Sequence, residues 1–78
     1  MENFSVNSAK SYIGKNVNLH LKDGAVIVNV QLVGILKGSG KNNLIEYTSY
    51  GTRGATRISL RNIAWAELLN LNLLQPAA

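Results

Sequence analysis

Apolar and polar residues alternate most regularly between Lys15 and Leu36. Val17, Leu19 and Leu21 interleave with Asn16, Asn18, His20 and Lys22, the period of a strand with one face in a core and the other in water. Asp23-Gly24 follows at once and suits a tight turn, because Gly accepts positive φ. Ala25 to Leu36 then runs for twelve residues rich in Val, Ile and Leu, about twice the usual strand length of ~5–6 residues. A strand that long in a short chain must bend to stay on one core, and Gly34 offers a place for the bend. Asn29 and Gln31, set among apolar neighbours, are expected on its open face.

The same pattern places the remaining elements. Ser5 or Asn7 suits the N-cap of a short helix ending at Gly14, with Tyr12 and Ile13 dropping it onto the barrel end. Lys37–Asn43 is dense in turn formers. Leu44–Tyr50 reads as a third strand, with Leu44, Glu46, Thr48 and Tyr50 on one side and Ile45, Tyr47 and Ser49 on the other. Gly51–Ala55 is a second loop. Thr56–Leu60 and Ile63–Leu69 read as a fourth and a fifth strand, joined so briefly at Arg61-Asn62 that the chain must turn sharply. The expected architecture is mainly β: one domain over 1–78, with a helix at 5–13, a strongly bent five-stranded antiparallel barrel at 15–69 and a tail at 70–78. Leu69, Leu71, Leu73 and Leu74 make the tail costly to leave wet. It is expected to pack on the barrel or on a neighbour, as strand or helical turn.

Composition narrows the function. A chain of 78 residues buries a small share of its surface, and without cysteine neither disulfide nor thiolate metal site supports it. Oligomerisation is the remaining common route to stability. Hydrophobic residues at 46% against 15% charged point the same way, to apolar surface covered by another copy or by a partner. Eight Lys/Arg against four Asp/Glu give a net charge of +4, compatible with nucleic acid and weak as evidence by itself. No apolar run reaches the ~18 residues of a membrane span, and the N-terminus has no apolar signal core, so the expected setting is cytoplasmic. Lys37–Asn43 lacks the Gly-x-x-x-x-Gly-Lys-Ser/Thr spacing of a nucleotide-binding loop. No acid, base and nucleophile set is visible and His20 stands alone, so no enzyme, metal or cofactor is expected.

Ile13-Gly14-Lys15-x-Val17-x-Leu19-x-Leu21-Lys22-Asp23-Gly24 resembles the opening of the first motif of the Sm-like family, the group that includes the LSm and Hfq-type proteins. Leu32-Val33-Gly34 resembles the end of that family's second strand, and Asn43-Leu44-Ile45 the start of its third. Ile58–Ile63 stands where its second motif falls. The family's Asp after the strand-two Gly is replaced by Ile35-Leu36-Lys37, its aromatic-Met pair by Lys41-Asn42, and its Ile-Arg-Gly by Ile58-Ser59-Leu60. The resemblance implies a homo-oligomeric ring, hexamer or heptamer, closed through edge strands four and five, with single-stranded RNA, U- or A/U-rich, at pore-facing loops.

On these residues the RNA site is expected at Lys41, Asn42, Asn43, Arg61 and Asn62: cations for phosphates, amides for base edges, a guanidinium plane for stacking. Tyr47 and Tyr50 are expected as exposed aromatics, and Arg53 and Arg57 as outer-face backbone contacts. Trp65 is expected in the core or as a subunit-interface anchor, and His20 on the polar face. The alternative is an oligomeric scaffold with the same barrel and no RNA binding, which takes a protein partner through its tail. A monomeric SH3-like barrel on duplex DNA fits the scattered cations less well.

Overall fold

The computed structural model describes residues 4–38, 40, 42–49 and 54–69. Lys41, Tyr50, Arg53 and the tail 70–78 lie outside the described residues, so the expectations placed on them stay as they were. A short helix, α1 (Val6–Tyr12), precedes five strands: β1 (Asn16–Leu21), β2 (Val26–Lys37), β3 (Asn43–Ser49), β4 (Thr56–Ser59) and β5 (Ile63–Leu68). They form one antiparallel sheet in the order β4-β3-β2-β1-β5. The fold is mainly β, barrel-like, with β4 and β5 as the two edges.

Ser5 is the N-cap of α1: its hydroxyl accepts the Ser8 N–H at 3.1 Å, which satisfies one of the orphan donors of the first turn. The helix docks through Ala9, fully buried, and through Phe4 and Tyr12, which pack on the core. Ile13, expected to dock beside Tyr12, is exposed instead. Gly14, past the helix end, donates to the Leu32 carbonyl at 2.8 Å and starts the pairing that β1 continues.

The Asp23-Gly24 turn forms as expected. Gly24 donates to the Leu21 carbonyl at 3.0 Å, the Asp23 carboxylate accepts the Ala25 N–H at 2.9 Å, and Gly24 sits at φ +95°, where a Cβ would be strained.

Three register irregularities shape the sheet. On β2 an extra residue enters at Val28-Asn29, between the pairs Val17↔Val30 and Leu19↔Ile27. A second enters at Val33, beside Gly34. A third enters on β5 at Ala64, between His20↔Trp65 and Leu21↔Ile63. Each is a bulge, which bends the strand, strengthens its twist and moves the following side chains to the other face. Asn29 takes the strain of the first, at φ +51°, with its N–H held by Asn18 Oδ1 at 2.8 Å.

Inside the bend lie Val17, Leu19, Val30, Leu32, Ile45, Tyr47, Ile63 and Ala66, closed at one end by Ala9. Burial of each large aliphatic side chain here stabilises the fold by about 1.5–3 kcal/mol. Tyr47 is 8% exposed, which corrects its reading as an exposed aromatic: it follows Ile45 by two on the inward face of β3. Trp65 is 42% exposed and is not a core residue. No helix among the described residues is long and apolar enough to cross a membrane.

Candidate functional site

The loop after β2 and the sharp link between β4 and β5 come together at one end of the sheet. Leu60–Asn62 forms a single 3-10 turn, and the Asn62 carbonyl accepts the Lys22 N–H at 2.9 Å. That bond ties the β1–β2 turn to the β4–β5 link, and Lys22 and Arg61 line the same groove. In the loop after β2, the Gly38 N–H donates to the Asn42 carbonyl at 2.7 Å. A Cβ at Gly38 would lie 3.1 Å from that same oxygen, a tight contact that favours glycine there.

Asn42, Asn43 and Arg61 thereby line one open groove of about 240 Å³, together with Lys22, Leu60 and Phe4. Three of the five expected site residues are gathered. Asn62 faces the adjoining groove of about 410 Å³, with Leu21, Lys22 and Asp23, and Lys22 borders both. The smaller groove lies below the ~300–1,000 Å³ of pockets that enclose a drug-sized molecule; it suits a phosphate or a base edge laid along a surface. Neither Lys22 nor Arg61 is paired with a carboxylate among the described residues, so both charges are available to an anion. Phe4, stacked on Tyr12 with centroids 6.2 Å apart, supplies the apolar wall. Lys22 and Phe4 were not among the expected site residues: Lys22 reads as a polar-face residue at the end of the first strand, and Phe4 as part of a loose start.

A second cluster lies on the outward face. His20 on β1 and Trp65 on β5 are cross-strand partners, and their rings stack with centroids 3.9 Å apart and planes 7° apart. Glu67 Oε1 contacts His20 Nε2 at 3.0 Å and accepts from Asn18 Nδ2 at 3.2 Å. Those hydrogen bonds, from His20 first and then Asn18, hold the Glu67 carboxyl below its ordinary pKa. At the other edge Arg57, on the outward face as expected, donates from Nε to Glu46 Oε2 at 3.3 Å.

No protein-family model matches this chain, and no curated protein and no solved structure matches it either.

Proposed function

We propose that the protein is an Sm-like, homo-oligomeric ring of the cytoplasm that binds single-stranded RNA, U- or A/U-rich, in the groove at Asn42, Asn43 and Arg61, with Asn62 in the adjoining groove and Lys41, outside the described residues, as a further contact. The observation that supports this most is the convergence of two side-chain amides and two cations, Arg61 and Lys22, with no carboxylate partner among the described residues, on one open groove. Cations there neutralise phosphates, and the amides have donors and acceptors for base edges. Two sheet edges with no partner strand among the described residues, β4 and β5, supply the means of assembly: an unpaired edge is a liability that pairing between subunits removes.

The test is binding of a labelled U-rich oligonucleotide across a salt series. Wild type should lose affinity steeply with salt, with a log–log slope that falls by ~0.7 for each phosphate contact removed. Replacing Lys41, Asn43 and Arg61 together with Ala should weaken binding at least tenfold and flatten the slope. Unchanged affinity in the triple variant would remove the site.

Exposed Val28, Trp65 and Leu68 favour a second reading, the scaffold that holds a protein partner and no RNA. Absence of copurifying RNA, with a tight partner lost on truncation after Asn70, would select it.

A further inference from the structure

Trp65 stands on an edge strand with one ring face covered by His20. Its other face is turned away from β1, toward the side on which β5 has no partner strand among the described residues. Beside it on the same outward face, Glu67 uses only Oε1 in its contacts with His20 and Asn18, which leaves Oε2 for a further donor. No Lys or Arg pairs with Glu67 among the described residues. An open indole face next to an ionised carboxylate is a site for a cation, most favourably a guanidinium, which stacks on the ring and donates to the oxygen. The carboxylate disfavours a phosphodiester at the same place.

The chain carries a matching group on its opposite edge. Arg57 on β4 lies on the outward face with its side chain 59% exposed, and its ion pair with Glu46 uses Nε. The two terminal amino groups of the guanidinium are left for other acceptors. β4 has four residues, of which Arg57 and Ser59 face outward with Glu46 and Leu44. When one edge strand pairs with another, outward side chains fall opposite outward side chains, and a long side chain also reaches the diagonal neighbour. A β4 laid against β5 with the two outer faces continuous, in the register that sets Arg57 opposite Trp65 or Glu67, brings the guanidinium within reach of both.

We infer that the outward face of β5 is an interface for a second copy of this chain, in which Arg57 of that copy stacks on Trp65 and donates to Glu67. This rests on the proposed assembly through β4 and β5, and gives that contact a side-chain lock on the outside of the sheet.

Trp65 is the chain's one tryptophan, so its fluorescence reports on this face of β5; because His20 also stacks on it, Arg57→Ala, which leaves His20 and Glu67 untouched, isolates the contribution of the second copy. Mass by light scattering and acrylamide quenching of Trp65 are followed together through a dilution series, for wild type, Arg57→Ala and Glu67→Gln. The expected result is an oligomer whose Trp65 is shielded. Each variant should then raise the dissociation midpoint by roughly tenfold, or, where the oligomer resists dilution, leave Trp65 more open to quencher within it. The two variants lie on different strands, so a folding defect in one does not remove the test. An oligomer in which both variants match wild type in midpoint and quenching overturns the lock and leaves the assembly standing. A monomer at every concentration overturns both.

Discussion

Asn29 shows how one residue carries a bend. Its φ of +51° lies where a non-glycine residue costs roughly 1–2 kcal/mol and where Asn is among the better tolerated. The Asn18 side chain offsets part of that cost by accepting its N–H. Asn29→Gly should therefore leave stability within a few tenths of a kcal/mol of wild type. Asn29→Val should lower it by about 1–2 kcal/mol, a fall in midpoint of roughly 4–16 °C for a domain of this size, read by thermal unfolding. Glu67 gives a second residue-scale expectation. Its folded pKa lies below the ordinary 4.5, so its hydrogen bonds add stability that is fully present above that value. The contribution is lost as pH falls through the depressed folded pKa. Unfolding curves of wild type and Glu67→Gln should keep a constant separation at neutral pH and converge in acid; a separation that persists there would contradict the assignment.

At the scale of elements, much of the fold was legible. Alternation in β1, the Asp23-Gly24 turn and the length of β2 are local signals with a single physical reading, and all five strands start and end within one or two residues of where the pattern puts them. Face assignment was less legible, because bulges have no sequence signature of comparable strength. Strict alternation from Ile63 points Trp65 inward; the extra residue at Ala64 turns it out. The bulge at Val28-Asn29 does the same to Val26 and Val28, which alternation from Val30 would bury. Tyr47 was misread for a different reason: β3 has apolar residues on both faces, and only its pairing with β2 shows which face meets the core. The two glycines flanking the end of β2 separate by the same kind of argument. At Gly38 a Cβ would crowd the Asn42 carbonyl at 3.1 Å, an oxygen held in place by the Gly38 N–H, so Gly38→Ala should cost about 1–3 kcal/mol through overpacking and disturb the groove. At Gly34 a Cβ would find ordinary contact at 3.8 Å, and Gly34→Ala should stabilise the strand by about 0.5–1 kcal/mol. Chemical denaturation of the pair separates them; equal effects would mean that the bend needs Gly34 itself.

Over the whole molecule, the sheet's curvature joins segments distant in the chain. It brings the loop after β2 against the β4–β5 link, and so collects Asn42, Asn43 and Arg61. Those three were legible because both segments are short, polar and forced to the same end by five antiparallel strands. Lys22 was not, because its place depends on one backbone hydrogen bond to Asn62 that no local pattern announces. Among the described residues the same curvature leaves β4 and β5 as the sheet's edges on a small core, with Trp65, Val28 and Leu68 exposed outside it. The proposed ring would pair those two edges and repeat the groove from copy to copy. The most direct measurement is the absolute mass of nuclease-treated protein by light scattering. The account predicts six or seven times the 8.5 kDa of the subunit. A mass of one subunit at every concentration would contradict it.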